Sequence, residues 1–344
     1  MTDESLLEPL LEGRIPAVAR AVSLVENGRP GFEALLAAVH PRLGRARRIG
    51  VTGPPGAGKS TITERLVSAW RAQDLKVAVI AVDPTSPFTG GALLGDRIRM
   101  ERVALDPGVY IRSMATRGSL GGLATSTREV ADVLDAAGFD RILVETVGVG
   151  QSELDVARMT DSTVLVLVPE SGDGIQALKS GVMEAADLFV VNKADRPGAP
   201  KMRREIELAL DLRAGKAYRH VPAHHGALKS MAAKARDEER AEGWRPPVLE
   251  TIAVKDEGVS EVVAALDRHW DETTASGALE QRRRARLAER TRAVVTRAVE
   301  RWLWRDGPAE ELVTARLDDV ARGVTSPYDV AAAVVAALRE ESRV

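Results

Sequence analysis

Gly53-Pro54-Pro55-Gly56-Ala57-Gly58-Lys59-Ser60 follows the apolar run Arg48 to Thr52 and leads into Ile62, Leu66, Val67 and Trp70 at helical spacing. Strand, glycine-rich turn and helix in that order form the phosphate-cradling pattern. Glycines let backbone N–H groups turn inward, and the helix behind them presents its positive end. On this reading Lys59 reaches the β and γ oxygens of a nucleoside triphosphate, the Ser60 hydroxyl ligates Mg²⁺, and Thr61 joins the nucleotide-binding set. The alternative is a purely structural strand-to-helix turn, against which both the spacing and the flanking elements speak.

Outward from this stretch, short apolar runs alternate with glycine or aspartate turns and amphipathic segments. The expected strands are Arg48 to Thr52, Val77 to Val82, Val109 to Met114, Arg141 to Glu145, Ser162 to Val168, Leu188 to Asn192 and Leu249 to Val254. Such alternation predicts an α/β fold of the P-loop NTPase type, a mostly parallel sheet flanked by helices. Each chemical motif falls at the carboxyl end of a strand, where an open α/β sheet places its ligand. Helical spacing precedes the sheet, from Ser5 to His40, and returns after Gly258 in Val259 to Trp270, Leu279 to Trp304, Glu310 to Arg322 and Tyr328 to Glu341. The expected division is a helical segment over 1–46, a nucleotide domain over 47–270 and a helical region over 271–344. A helix of about 26 residues from Leu279 would run roughly 39 Å and suits a projecting arm. Its Arg282, Arg283 and Arg284 sit among Glu289 and Glu300, the pattern of a solvated face and not of a nucleic-acid site.

Asn192-Lys193-Ala194-Asp195 ends the sixth expected strand and has the form of a guanine-reading motif. The Asp195 carboxylate can accept from both N1–H and the exocyclic amine of guanine, whereas adenine offers no such pair of donors. Asn192 and Lys193 would brace the phosphate loop and cover the base. In Glu145-Thr146-Val147-Gly148, Glu145 supplies the carboxylate near Mg²⁺ and Gly148 the flexible point near the γ-phosphate. Regulatory GTPases often place a water-orienting glutamine directly after that glycine. Val149 stands there instead, and Gln151 is either a late substitute or a helix-start residue. Slow hydrolysis completed by a partner is the expectation.

Asp83 to Arg97 is a turn-rich loop with the composition of a switch. Asp83 would face the phosphates as a catalytic and metal-side carboxylate, and Asp96 would swing toward Mg²⁺ or else cap a helix. A second glycine-punctuated segment, Pro169 to Gln176 with Asp173 and then Lys179, could reshape with the nucleotide. His220, His224 and His225 lack acidic or cysteine companions at ligand spacing and read as a surface loop.

With 48 basic and 50 acidic residues the net charge is −2, so no whole-chain field draws the protein to nucleic acid or a membrane surface. Cysteine is absent, which removes disulfides, thiolate zinc sites and cysteine nucleophiles and suits a cytoplasmic protein. The first ten residues are acidic where a signal peptide is basic, and no run of about 18 apolar residues suggests a span.

Together, Gly53 to Ser60, Asp83-Pro84-Thr85-Ser86-Pro87, Gly90-Gly91 with Leu94 to Arg97, Glu145 to Glu153 and Asn192 to Asp195 resemble the MeaB/ArgK family of metallochaperone-type GTPases, bacterial relatives of the human methylmalonic aciduria type A protein. Glutamate at 145 is a mark of that wider class. The resemblance implies a GTPase chaperone for an adenosylcobalamin-dependent acyl-CoA mutase, usually methylmalonyl-CoA mutase. GTP binding and hydrolysis would gate loading, protection and reactivation, the mutase would accelerate hydrolysis, and the cobalamin would belong to the mutase. It implies that Asp173, Gln176 and Lys179 lie in a partner-contacting switch and that the carboxy-terminal helices hold a homodimer. A second guanine-contacting loop, placed by position at Thr251 to Val254, brings in Ala253. Three alternatives stay open: a nickel-delivery GTPase, although such proteins generally carry cysteine or a histidine tract; a kinase; and an interaction protein that holds nucleotide without turning it over.

Overall fold

A computed structural model of the chain describes residues 4–83, 100, 102–115, 122–146, 152–169, 182–213, 244–306 and 309–341. The chain divides into two compact units, Met1–Glu280 and Gln281–Val344. In the first unit the strands are β1 (Arg47–Thr52), β2 (Val77–Asp83), β3 (Val109–Ala115), β4 (Arg141–Thr146), β5 (Ser162–Leu167), β6 (Leu188–Asn192) and β7 (Val248–Thr251). They form one seven-stranded sheet in the order β3-β2-β4-β1-β5-β6-β7, parallel throughout. The chain builds outward from β1 on one side through β2 and β3, returns to insert β4, and crosses to the other side for β5, β6 and β7. That reversal opens a crevice at the carboxyl end of β1.

Every residue of β5 and β6 is buried, as helices on both faces require of a parallel sheet. Alternate residues serve opposite layers. On one face α4 (Lys59–Arg71) and α9 (Val259–Ala275) press Ile62, Leu66, Trp70, Val262 and Leu266 against Val51, Val79, Leu143, Val164 and Val190. On the other, α1 (Glu4–Leu11), α2 (Ile15–Glu26), α3 (Phe32–Val39), α5 (Gly122–Ala136) and α6 (Ser152–Met159) share one cluster with Ile80, Val82, Ile142 and Val144. The same face continues past the short α7 (Val182–Ala185) to α8 (Ala199–Arg213), whose Met202, Ile206 and Leu210 cover Leu165, Leu167, Phe189 and Val191. The amino-terminal helices are therefore part of the sheet's own core. Each full burial of such a side chain contributes about 1.5–3 kcal/mol.

The last strand is shorter than the apolar pattern of Leu249 to Val254 predicts. It closes at Thr251, and Ala253–Lys255 winds into a 3₁₀ turn. Ile252 N–H turns to Glu257 O and Lys255 N–H to Ile252 O, while Asp256 adopts φ 64°, so the backbone has left the ladder.

The amino ends of the strands are fastened by buried polar groups. Arg48 of β1 donates to Asp132 Oδ1 at 2.8 Å and Asp135 Oδ2 at 3.0 Å. Burial opposes its charge, but the two carboxylates outweigh it and hold the guanidinium protonated more firmly than usual. Asp135 also accepts N–H bonds from Gly44, Arg45 and Ala46. Across the sheet His269 of α9 lies between Ser162 Oγ, 2.7 Å from Nδ1, and Asp187 Oδ1, 3.2 Å from Nε2. Asp187 Oδ2 accepts from Thr163 N–H, and Trp244 Nε1 donates to Asp187 O.

α10 (Ala278–Arg301) carries the chain into the second unit, where a π-helical turn Trp302–Asp306 precedes α11 (Ala309–Ala321) and α12 (Pro327–Glu341). Leu287, Val294, Val295, Val299, Trp302 and Trp304 are exposed there. Among the described residues no helix is long and apolar enough to cross a membrane.

Candidate nucleotide site

The motifs converge where β1, β4, β6 and β7 end. Register sets Val51 opposite Glu145 and Asn192 opposite Thr251, so strand pairing alone aligns a carboxylate with the phosphate loop and the base motif with the loop after β7. Gly53 leaves β1 with φ 140°, and a Cβ there would stand 2.1 Å from Val166 O. Gly58 has φ 88°, and its Cβ would meet Asn192 Nδ2 at 2.3 Å. Only glycine allows both the turn and the approach of the asparagine.

Lys59 opens α4 almost fully buried. Its Nζ donates to Gly53 O at 2.8 Å and Pro54 O at 2.9 Å, and thus lies within the loop it was expected to serve. Ser60 Oγ donates to Glu145 Oε1 at 2.6 Å, and Glu145 is only 3% exposed. A buried hydrogen bond joins Thr52 Oγ1 to Thr146 Oγ1 at 3.0 Å, tying β1 to β4 just below the loop. A hydroxyl oxygen beside a carboxylate is a hard-oxygen donor set of the kind Mg²⁺ takes. Among the described residues no group of three or more acidic or histidine side chains is arranged to hold a metal ion by itself. Mg²⁺ does not need one, since phosphates and water complete its shell.

On the base side Asn192 is 3% exposed and bonded at both its side-chain nitrogen and its oxygen. Its Nδ2 donates to Ala57 O at 2.8 Å, and its Oδ1 accepts from Thr251 Oγ1 at 3.0 Å and Ala253 N–H at 3.2 Å. Lys193, with φ 57°, reaches Gly56 O at 2.9 Å. Ala194 N–H donates to Thr251 O at 3.0 Å, and Asp195 stands exposed just beyond. One side chain thus bridges phosphate loop, base motif and following loop.

Lys59, Ser60 and Glu145 meet at the phosphate end; Asn192, Lys193 and Ala253 meet at the base end, and Thr61 lies in the first turn of α4. Asp83 is the last residue of β2. Asp96, Gly148, Gln151, Asp173, Gln176, Lys179 and the three histidines at 220, 224 and 225 lie outside the described residues. The structure adds roles that sequence reading did not assign. Thr251 orients Asn192; the Thr52–Thr146 pair joins the strands; and Arg65 of α4 donates to Ala253 O and Val254 O, each at 3.1 Å. Arg65 carries no local motif, because it acts through contacts with a distant segment.

A central strand running into a glycine-rich loop, with lysine and serine at the helix start and an Asn-Lys-x-Asp motif across the crevice, defines a P-loop GTPase. Residues 18–307 match the family model described as methylmalonyl Co-A mutase-associated GTPase MeaB, and the chain belongs to that family. A GTPase-named protein of Pyrococcus abyssi is 47% identical over 296 residues, 86% of this chain and 84% of its own length. The mitochondrial methylmalonic aciduria type A homolog of Caenorhabditis elegans is 36% identical over 316 residues, 88% of this chain and 71% of its own. A crystal structure titled as a LAO/AO transport system kinase matches with a TM-score of 0.63 at 28% identity, covering 98% of this chain and 99% of that one.

Proposed function

We propose that this GTPase is the nucleotide-driven chaperone of an adenosylcobalamin-dependent acyl-CoA mutase of the methylmalonyl-CoA mutase type. The observation that carries the reading is the match of residues 18–307 to a family described by its association with that mutase. GTP binding and hydrolysis gate cofactor loading, protection and reactivation, while adenosylcobalamin itself stays with the mutase.

Within the site the backbone of Gly53 to Ser60 binds the phosphates, and Lys59 supplies the positive charge that the β and γ oxygens need. Ser60 and Glu145 would hold Mg²⁺, with Asp83 and Asp96 as further carboxylates on the metal side, and the ion would supply positive charge to the phosphates. The 2.6 Å contact between Ser60 and Glu145 supports this pairing, because a hydroxyl whose proton is taken by a carboxylate keeps its oxygen lone pairs for a cation. Gly148 accommodates the γ-phosphate end. Asp195 accepts from the guanine edge, with Asn192, Lys193 and Ala253 shaping the pocket around it. Asp173, Gln176 and Lys179 belong to the segment that meets the mutase.

The exposed Leu287, Val294, Val295, Val299, Trp302 and Trp304 of the second unit support a homodimer formed through that unit. The protein works in the cytoplasm without nucleic acid or membrane as a partner. GTP turnover with Mg²⁺, measured alone and with a methylmalonyl-CoA-type mutase from the same source, tests the reading. A rise of at least about tenfold, near 1.4 kcal/mol off the barrier, is expected. No change with the mutase would leave the GTPase and remove the client.

A further inference from the structure

The phosphate and base halves of the site are joined twice. Asn192 makes one link, taking Ala57 O in the phosphate loop and Ala253 N–H in the loop after β7. Arg65 makes the other. It lies on α4 six positions after Lys59, and its fork grips consecutive carbonyls, Ala253 O through Nε and Val254 O through Nη2.

Ala253 is therefore held from both sides, its N–H by Asn192 and its C=O by Arg65. The trans peptide is planar, so fixing Ala253 O also fixes the direction of the Val254 N–H at the far end of that plane. Packing does not hold Val254, which is 71% exposed. Charge-assisted hydrogen bonds from a guanidinium are about twice as strong as neutral ones, and two from one planar group define orientation as well as distance. The circuit closes covalently through α4, which begins at Lys59. A helix is stiff along its axis, so the loop at 253–255 stands at a set distance from the phosphate loop.

We infer that Arg65 is a positioning residue for base recognition, holding the loop at 253–255 in register with Asn192 to Asp195 at a separation matched to a guanine nucleoside. The inference rests on the guanine reading of Asp195 and deepens it. The hydrogen bonds of Arg65 run to Ala253 O and Val254 O. Its loss acts on nucleotide affinity, while the phosphate half and the chemical step keep their own contacts.

The experiment compares wild type with Arg65→Ala, Arg65→Gln and Arg65→Lys as full-length protein with Mg²⁺. The readouts are kcat and KM for GTP and ATP, Kd for GDP, and the inhibition constant of tripolyphosphate, which probes the phosphate half alone. Arg65→Ala should raise the KM for GTP and the Kd for GDP about tenfold, with kcat within about twofold and tripolyphosphate inhibition unchanged. Arg65→Lys should recover part of the loss, since an ammonium offers a donor but not the fork. If Arg65→Ala does not fold, the Lys and Gln variants carry the test. Wild-type preference for GTP together with variants at wild-type KM and Kd overturns the inference. A KM for GTP that rises in step with the tripolyphosphate constant, or a fall in kcat alone, overturns it too. Equal use of ATP and GTP by the wild type removes the guanine reading itself, a separate failure visible before any variant is made.

Discussion

The two ends of the sheet are built on opposite principles. At the carboxyl end the backbone takes left-handed turns at Gly56, Gly58 and Lys193, and the buried Glu145 and Asn192 stand beside an exposed Asp195. At the amino end the polar groups are buried and answered in kind, Arg48 by Asp132 and Asp135, and His269 by Ser162 and Asp187. One end spends conformational strain on ligand contact, and the other fixes the strands that the site depends on. Function and stability should therefore separate by sheet edge.

Lys59→Ala should break that separation most visibly on the functional side. Turnover of GTP should fall at least about 10⁴-fold, near 5.5 kcal/mol, while the melting temperature moves by only a few degrees. Loss of activity through unfolding would contradict the division. Asp135→Ala should do the reverse. It removes one of the two carboxylates on Arg48 and the carboxylate that accepts from the N–H groups of Gly44, Arg45 and Ala46, at a cost of about 3 to 5 kcal/mol in urea unfolding. Turnover per folded molecule should stay as in the wild type, and a large change in KM for GTP would show that the two ends are coupled.

A half-exposed contact sets the lower limit of the comparison. A hydrogen bond from Arg71 holds the Asp106 carboxyl below the usual carboxylate range, against a partial burial penalty and with help from Gly108 N–H. A depressed folded value means the stabilisation is present above the unfolded pKa near 4 and is lost as pH falls through the folded value. Asp106→Asn should therefore cost at most a few tenths of a kcal/mol at pH 7, and the difference should vanish in acid. A difference that grows as pH falls would reverse the sign assigned to this pair.

The fold was legible because strand, turn and helix recur in register with the chemical motifs. β2, β3, β4 and β6 start where their apolar runs start, and parallel pairing then sets Glu145 opposite Val51 and Asn192 opposite Thr251. The end of β7 was not legible, since Ile252 and Val254 look like strand residues and the turn shows in bonds such as Ile252 N–H to Glu257 O. Arg65, too, reads in sequence as one more polar residue on an amphipathic helix. Its role depends on a loop 188 positions away, and no spacing rule spans that interval. The same holds for the meeting of Ser162 and His269, which are 107 positions apart.

Base preference tests the account most directly. Xanthine carries an oxygen where guanine carries its exocyclic amine, so a carboxylate favours guanine and a carboxamide, which can donate, favours xanthine. Turnover of GTP and xanthosine triphosphate should be measured for wild type and Asp195→Asn. The account predicts a wild type at least about a hundredfold selective for GTP and a variant whose preference has reversed. An Asp195→Asn protein that folds and still prefers GTP as the wild type does would contradict it.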